Sequence, residues 1–433
     1  MTSATQHTPL GWAPTIPSHW EIVPLRYVAK MGTGHTPDRS KSEYWDDCTI
    51  PWVTTPDVSR RGDTLAPLMD TEQQISELGM TNSAAVLHPA DTVMLSRTAS
   101  VGYSVRIGRP MATTQAFVTW SAGPRLEPRY LLLVLRAMKS EWEKLAYGST
   151  HLTIYMPDLE SVRIPLPPLD EQRRIADFLD AETARIDNLA AKRRSMRDLL
   201  ALKRERVIES MLGLEPGNSS HRLVPLKYMV DAVSVGIVIT PAKWYVDSGG
   251  TPALRGLNVK PGSINRENLV HISAEGHAEH VKSRLRAGDV VVVRTGQAGA
   301  AAVVPPELDG VNCIDLIIIR PGRKLTSRYL EYVLNSEHAR AQVSEHSVGS
   351  IQAHFNVGAM KQIPLPSLPR YEQEETVTRL DQAVGDIDRL QNELVKQERL
   401  LAERRQALIT AAVTGQFDVS TASGRNVTEG VSA

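Results

Sequence analysis

The segment IPLPPLDEQ at residues 164–172 recurs as IPLPSLPRYEQ at residues 363–373, and each copy directly precedes a long stretch with helical periodicity. Other segments recur in the same order: VPLRY at 23–27 as VPLKY at 224–228, and DTVMLSRT at 91–98 as DVVVVRT at 289–295. Self-similarity at a nearly constant offset is the sequence signature of repeated structural units. The sequence therefore predicts a duplicated chain, each copy consisting of a mixed part followed by a long helix.

Both predicted helices carry an apolar stripe at alternating spacings of three and four, which is typical of a coiled coil. In the first, seven of eleven stripe positions are apolar: Ile175, Leu179, Glu182, Ile186, Leu189, Arg193, Met196, Leu200, Lys203, Val207 and Ser210. In the second, eight of eleven are apolar: Val377, Leu380, Val384, Ile387, Gln391, Leu394, Glu398, Leu401, Arg405, Leu408 and Ala412. Prolines precede each stripe, and Gly213 and Gly415 follow it, which marks the helix ends.

Pairing of the two helices with each other would bury both stripes. The second mixed part begins just after the first helix and ends just before the second, so the second helix must run back antiparallel. We expect an α+β protein with two mixed α/β heads separated by two long antiparallel coiled-coil helices, related by a pseudo-two-fold internal repeat. The predicted boundaries are 1–162 and 214–362 for the heads, 163–213 and 363–415 for the helices, and 416–433 for a flexible tail.

Short β-branched runs and helical patterns alternate within the heads. The predicted strands include 49–55, 92–95, 116–120, 290–293 and 314–319, and the predicted head helices are 128–147 and 327–345.

Composition narrows the protein class. The chain has 433 residues, 42% of them apolar, and equal numbers of acidic and basic residues, 49 each. These values are ordinary for a globular protein and exclude collagen-like repeats. The two cysteines, Cys48 and Cys313, are too few for a disulfide scaffold, and no long apolar run is present. We therefore expect a cytoplasmic protein without membrane spans.

No catalytic constellation stands out in the sequence. Phosphate-binding loops, HExxH, CxxC and GxSxG motifs are absent, as is the Asn/Asp-Pro-Pro-aromatic motif of amino-methyltransferases. His271, His277 and His280 have a spacing that could hold a metal, but the favoured interpretation is polar surface residues of a loop. We expect a chain that is not an enzyme and binds neither metal nor cofactor.

The sequence resembles the DNA-specificity subunits of type I restriction–modification systems over nearly its whole length. The features that carry the resemblance are the duplicated domain-then-helix order, the two proline-rich helix entries and the strand that ends in Arg-Thr in each head. The segment running from GHTP at 34–37 through EYW at 43–45 to IPW at 50–52 is also similar to the start of a family target-recognition domain.

The resemblance implies a chain that recognises double-stranded DNA and takes part in defence against foreign DNA. Each head would read one half of a bipartite, asymmetric target, and the helices would set the spacing and dock partners. The implied partners are two methyltransferase subunits with S-adenosylmethionine, and restriction/translocase subunits with ATP and Mg²⁺. Helix residues predicted to meet these partners are Arg193, Arg194, Arg197, Arg204 and Arg404, with a solvated helix face as the alternative.

Base-reading candidates are polar residues in the loops of the heads, because Arg and Lys recognise guanine edges and Asn and Gln recognise adenine edges. In the first head they are His35, Thr36, Arg60, Arg61, Arg97, Tyr103 and His151. In the second they are Arg255, Asn258, Lys260, Arg294, Gln297, Gln352 and His354. Arg97 and Arg294 occupy the same turn in both copies, so a structural role within the head is an equal alternative for them. For each of the other candidates, the favoured alternative is a surface residue that takes no part in binding. Trp45, Trp52 and Trp244 are expected to be core anchors.

Two rival functions stay open at this point. A coiled-coil adaptor whose heads bind protein would show no sequence-dependent DNA binding, even with a methyltransferase present. An enzyme with a cryptic site in one head would show turnover by the isolated chain.

Overall fold

The computed structural model describes residues 4–148, 152–215, 218–219, 221–345 and 355–419. The chain divides into two compact units. Unit 1 comprises residues 1–193 and 396–433, and unit 2 comprises residues 194–395. Both mix helices and strands, which confirms the α+β class.

Two helices dominate the helix inventory. The helices are α1 (Thr55–Ser59), α2 (Glu77–Thr81), α3 (Pro128–Ala137), α4 (Lys139–Leu145), α5 (Met156–Glu160), α6 (Leu169–Leu212), α7 (Ala274–Glu279), α8 (Ser327–Asn335), α9 (Glu337–Glu345), α10 (Val357–Met360) and α11 (Arg370–Val413). Helices α6 and α11 have 44 residues each. Gly213 and Gly415, just past their ends, adopt φ values of 64° and 70°, as a helix-terminating glycine does. Each predicted head helix is in fact two helices, broken at Met138 and at Ser336.

The strands of unit 1 form small sheets. They are β1 (Thr5–His7), β2 (Thr15–Pro17), β3 (Glu21–Pro24), β4 (Ala29–Thr33), β5 (Ile50–Val53), β6 (Gln74–Ile75), β7 (Val93–Ser96), β8 (Ser104–Arg106), β9 (Ala112–Thr113), β10 (Phe117–Ala122) and β11 (Arg163–Leu166). The main sheet is antiparallel with order β4-β10-β7-β8. In the second sheet, of order β6-β5-β9, strands β5 and β9 run parallel. Strand β11 pairs with β3, and β1 with β2.

The strands of unit 2 also form small sheets. Its strands are β12 (Leu214–Glu215), β13 (Asn218–Ser219), β14 (Leu223–Pro225), β15 (Ala232–Val235), β16 (Tyr245–Val246), β17 (Thr251–Leu254), β18 (Val259–Lys260), β19 (Ser263–Ile264), β20 (Val270–Ile272), β21 (Val290–Val293), β22 (Ala301–Val303), β23 (Asn312–Cys313), β24 (Leu316–Arg320) and β25 (Pro364–Pro366). The main sheet has the order β15-β24-β21-β22, and β17 pairs with β23 in parallel as β5 does with β9. Strand β14 pairs with β25, as β3 does with β11.

The two central strands of each main sheet, β10 and β7 in unit 1 and β24 and β21 in unit 2, are buried on both faces over most of their length. In β21 the side chains of Val290 and Val292 pack with α8, while Val291 and Val293 pack on the opposite side with Leu254. This alternation follows from the two-residue period of a strand. A run of four valines therefore serves two cores at once.

The long helices pair within each unit. In unit 1, Ile175 and Leu179 near the start of α6 share a core with Leu408 and Ala412 near the end of α11. In unit 2, Ile208 and Leu212 of α6 share a core with Leu380 and Val384 of α11. Since early residues of one helix meet late residues of the other, the paired segments run antiparallel in each unit.

The predicted stripe of α11 is correct at all eleven positions, each being buried or partly buried. The predicted stripe of α6 is wrong at four positions. Leu189, Met196, Lys203 and Ser210 are exposed, and the residues one step further on, Ala190, Arg197, Arg204 and Met211, are wholly or partly buried instead. The burial periodicity of α6 is thus carried partly by arginines, which a hydrophobic pattern does not detect.

The repeated Glu-Gln of the helix entries has a structural role. The side chain of Gln172 is fully buried. Its Oε1 accepts from the Glu127 N–H at 2.9 Å, and its Nε2 donates to the carbonyls of Arg125 and Pro167. Gln373 makes the equivalent three bonds in unit 2, to the Thr326 N–H and to the carbonyls of Lys324 and Leu368. Each glutamine therefore ties the start of a long helix to the N-terminal end of α3 or α8.

Among the described residues, no helix combines the length and the apolar character that crossing a membrane requires.

Candidate nucleic-acid interface

The Arg-Thr turn of unit 1 gathers several chain segments around Arg97. The Arg97 N–H donates to the Ala116 carbonyl, and its Nε donates to the Gln115 carbonyl at 3.1 Å. The Ile154 N–H donates to the Arg97 carbonyl at 2.8 Å, and Arg97 Nη1 reaches the Ile154 carbonyl at 3.4 Å. The guanidinium thus braces the turn against two neighbouring backbones.

Arg294 does the same in unit 2. Its Nε donates to the Phe355 carbonyl at 3.1 Å, and the Phe355 N–H donates back to the Arg294 carbonyl. Its Nη1 lies 2.7 Å from Asp315 Oδ1, and only 14% of the Arg294 side chain is exposed. Of the two roles left open by the sequence, these contacts support the structural one for both arginines.

The turns that follow the two arginines share their backbone geometry. Ala99 and Gly296 have φ values of 65° and 78°, and Gly102 and Gly299 have φ values of 86° and 91°. An alanine in this left-handed region is uncommon, because its Cβ crowds the backbone there. The pattern Arg-Thr-(Ala/Gly)-x-x-Gly therefore encodes one turn in both units, and the residues between the positive-φ positions differ.

A second loop meets each turn. The His35 N–H donates to the Thr113 carbonyl in unit 1, and the Ile237 N–H donates to the Cys313 carbonyl in unit 2. The preceding residues are Gly34 and Gly236, at which a Cβ would lie 2.0 Å and 2.4 Å from those same carbonyl oxygens. Only glycine allows this close approach of two backbones.

Hydrogen bonds join this loop to the segment that the arginine contacts. In unit 1, Thr36 Oγ1 donates to Gln115 Oε1 at 2.7 Å. In unit 2, the Asp315 N–H donates to the Ile237 carbonyl at 3.0 Å. We call the arrangement around Arg97 or Arg294 the arginine junction; it comprises Arg97, Gln115, Ile154, His35 and Thr36 in unit 1, and Arg294, Asp315, Phe355 and Ile237 in unit 2.

Cys313, whose carbonyl accepts from the Ile237 N–H of the junction, carries a buried thiol. Burial raises the pKa of the Cys313 thiol well above its ordinary range, so this sulfur stays protonated and unreactive.

Among the described residues, no group of three or more His, Cys, Asp or Glu side chains could hold a metal ion. His277 and His280 lie on and next to α7 rather than in a surface loop, and their rings bond to Asn312 and to the Gly276 carbonyl.

The junction brings together only some of the predicted base-reading residues. His35, Thr36 and Arg97 belong to it in unit 1, and Tyr103, 40% exposed, follows the turn. In unit 2, Gln297 is exposed within the turn after Arg294. His151, Gln352 and His354 lie outside the described residues.

Other candidates have contacts elsewhere. Arg60 pairs with Glu72, and Arg61 donates to the carbonyls of Ala66 and Pro67, so neither is joined to the unit 1 junction by these bonds. Arg255 Nη2 donates to the Asn268 carbonyl, while Lys260 is exposed on β18.

Asn258, another predicted base-reading residue, has structural contacts. Its side chain is fully buried, accepts from the Arg255 N–H at 3.0 Å and donates to the Glu267 carbonyl. A buried amide with these partners holds a turn and presents no edge to a ligand.

The helix arginines are also divided. Arg193 bonds to Gln397 within unit 1, and Arg204 pairs with Asp388 at 2.9 Å within unit 2, so both face the other long helix. Arg197 is partly buried and accepts a bond from Gln391 at its carbonyl, and Arg404 is partly buried. Of the five arginines, Arg194 alone is exposed.

Sequence reasoning missed several exposed residues next to the junction. Tyr147 and Tyr155 of unit 1 are 55% and 56% exposed, with ring centroids 5.9 Å apart. In unit 2, Ile239 is 83% exposed two residues after Ile237. No polar or periodic signal marks these positions.

Of the predicted core anchors, Trp52 and Trp244 are buried, and Trp45 packs edge-on against Trp52 while Arg39 lies over both rings.

The comparisons with known proteins agree with one another. Residues 17–195 match the family model described as type I restriction modification DNA specificity domain. The specificity subunit of the MjaIX type I restriction enzyme of Methanocaldococcus jannaschii is 27% identical over 40% of this chain and 40% of its own length. The EcoBI specificity subunit of Escherichia coli is 22% identical over 60% of this chain and 59% of its own. The chain thus spans about half the length of these relatives. The StySPI subunit of Salmonella potsdam is 21% identical over 93% of this chain and 90% of its own.

Solved structures share the fold. A chain from a study of assembly and conformational transition in the type I R-M system has a TM-score of 0.72 at 20% identity, with 93% of this chain and 99% of that chain covered. The HsdS subunit of Thermoanaerobacter tengcongensis has a TM-score of 0.53 at 20% identity, with 95% and 100% covered. Residues 17–195 thus match a type I restriction modification DNA specificity domain, and the chain is similar in sequence to specificity subunits of type I restriction enzymes and in fold to an HsdS subunit.

Proposed function

We propose that this chain is the non-catalytic DNA-recognition subunit of a type I restriction–modification complex, in which each unit reads one half of a bipartite asymmetric target. The observation that carries the proposal is the arginine junction. Each unit has a four-stranded main sheet of its own, and both sheets carry the same turn and loop. The exposed residues of these turns and loops differ between the units. A constant frame with different tips is what a chain needs to read two unrelated half-sites.

The long helices act in this proposal as spacer and docking element for two methyltransferase subunits, which would hold S-adenosylmethionine. Their surfaces support a docking role, because large apolar side chains lie exposed on them. These are Leu189, Met196, Leu199 and Leu202 on α6, and Leu390, Val395 and Leu400 on α11. Restriction/translocase subunits, with ATP and Mg²⁺, would complete the assembly.

The zero net charge fits a division of labour within that assembly. Contacts from Lys and Arg to phosphates usually supply much of the affinity of a DNA-binding protein. Here 49 basic residues are matched by 49 acidic ones. We therefore assign most of the phosphate contacts to the partner subunits and base recognition to this chain.

Co-expression with the methyltransferase, followed by genome-wide mapping of methylated adenines, tests the proposal. We expect a split motif with two unrelated halves. Replacing residues 20–160 by the corresponding head of another specificity subunit should change one half and leave the other. Absence of sequence-specific methylation with an assembled complex would contradict the proposal.

A further inference from the structure

Unit 2 projects an unusual side chain from its arginine junction. Ile239 is 83% exposed, and its neighbour Val238 is 46% exposed. Among the described residues, no other large apolar side chain is as exposed as Ile239. A single exposed isoleucine needs no explanation by itself, but this one lies on a loop whose backbone is held on both sides.

On the N-terminal side, the loop is fixed by backbone contacts. The Ile237 N–H donates to the Cys313 carbonyl at 2.9 Å, and the Ile237 carbonyl accepts from the Asp315 N–H at 3.0 Å. A Cβ at Gly236 would lie 2.4 Å from the Cys313 oxygen, so the two backbones touch there. Asp315 in turn pairs with Arg294, which connects the loop directly to the braced turn.

On the C-terminal side, the loop is held by local geometry. Thr240 has a φ of 40°, a region that β-branched residues rarely adopt because of steric crowding. Pro241 follows, and the short helix Pro241–Trp244 ends in Trp244, which is buried. Residues kept in such a conformation are over-determined by their surroundings and cluster at functional sites. The surrounding contacts therefore keep Ile239 pointing away from the core.

We infer that Ile239 is a specificity-determining residue that contacts the 5-methyl group of a thymine in the half-site read by unit 2; this rests on the proposed function. The thymine methyl is the apolar group on the major-groove edge of a base pair, and apolar side chains recognise it by contact. In the corresponding loop of unit 1, His35 is the counterpart of Ile237, and the counterpart of Ile239 is Pro37, which is buried. The two units thus differ in the chemistry of this position, and a methyl contact accounts for an exposed isoleucine in a rigid loop.

Deoxyuridine is the chemical probe for this contact, because it pairs as thymine does but lacks the methyl group. The assay is the methylation rate of the assembled complex on duplexes carrying the mapped motif. Each thymine of both half-sites, on either strand, is replaced in turn by deoxyuridine. The half-site that survives the exchange of residues 20–160 is assigned to unit 2.

At one thymine of that half-site, we expect the parent complex to lose about tenfold in rate on deoxyuridine, the scale of one methyl group in an apolar contact. Ile239→Ala should methylate the thymine duplex more slowly and distinguish thymine from deoxyuridine by less than about twofold. The matched control is Val281→Ala, since Val281 is also an exposed apolar residue of unit 2, at 57%. This control should keep the full discrimination of the parent.

Several results would overturn the inference. They are a unit 2 half-site containing only G·C pairs, a parent complex that accepts deoxyuridine at every position, or an Ile239→Ala complex that discriminates as the parent does. A uniform loss on all duplexes by Ile239→Ala would also overturn it, because it would indicate folding or phosphate contact. Failure of the proposed function looks different: the parent complex would then give no bipartite motif at all.

Discussion

Replacing Gln373 with alanine removes three buried hydrogen bonds at once. The lost partners are the Thr326 N–H at 2.9 Å and the carbonyls of Lys324 and Leu368 at 2.8 Å and 2.9 Å. A hydrogen bond of this kind contributes about 1 kcal/mol net, and a buried partner left unsatisfied costs more. We therefore expect Gln373→Ala to lower the free energy of unfolding by about 3 kcal/mol.

The matched control is Gln382→Ala, since Gln382 is exposed on the same helix, α11. Both substitutions exchange the same residue types in a helix, so intrinsic helix propensity nearly cancels between them. Urea unfolding followed by circular dichroism measures the difference, and hydrogen exchange of the Thr326 amide reports the lost bond directly. If the two variants unfold within about 0.5 kcal/mol of each other, the bracing role of Gln373 is refuted.

Three further predictions concern burial, packing and pH. Leu394→Asp places a carboxylate at a buried position of the helix pair, so it should lower the free energy of unfolding by at least about 3 kcal/mol and impair subunit assembly. Leu390→Asp, on an exposed face, should change the free energy of unfolding by under about 0.5 kcal/mol. Gly236→Ala should lower the free energy of unfolding by about 1–3 kcal/mol, because the new Cβ would lie 2.4 Å from the Cys313 carbonyl oxygen. Gly385→Ala in α11, where a Cβ meets open space, should raise it by about 1 kcal/mol. Equal thermal shifts of the two variants would contradict this. Burial, together with nearby Lys30, lowers the pKa of His88 below its ordinary 6.5, so the unfolded state takes up the proton before the folded state does. The urea midpoint should therefore fall as the pH drops below about 6.5, and His88→Gln should reduce this pH dependence.

The stripe of α11 was predictable, and that of α6 only partly so. In α11 the apolar residues themselves occupy the buried positions, so periodicity identifies the face. In α6 the partly buried face includes Arg193, which hydrogen-bonds to Gln397 in unit 1, and Arg204, whose charge is matched by Asp388 in unit 2. A hydrophobicity pattern does not predict that such arginines are partly buried, since their burial depends on polar partners on the other long helix.

The arginine junction, too, was predictable from the sequence only in part. The sequence singled out Arg97 and Arg294 because a strand and turn recur around them. It did not show whether the guanidinium points outward or braces the turn, since the contacts at Ile154 and Phe355 come from residues about sixty positions away. For a related reason the sequence did not show that Asn258 is buried, because its partners, the Arg255 N–H and the Glu267 carbonyl, are known only from the structure.

The amino-acid sequence by itself revealed the repeated segments, the two long helices and the α+β class, because repeats, periodicity and helix-end residues are local properties of the chain. Only the tertiary structure decided which face of α6 is buried, which polar residues are consumed by structural bonds, and which side chains are left at the loop tips. Those outcomes depend on partners distant in sequence, and the free energy of burying a polar or apolar group is set by those partners.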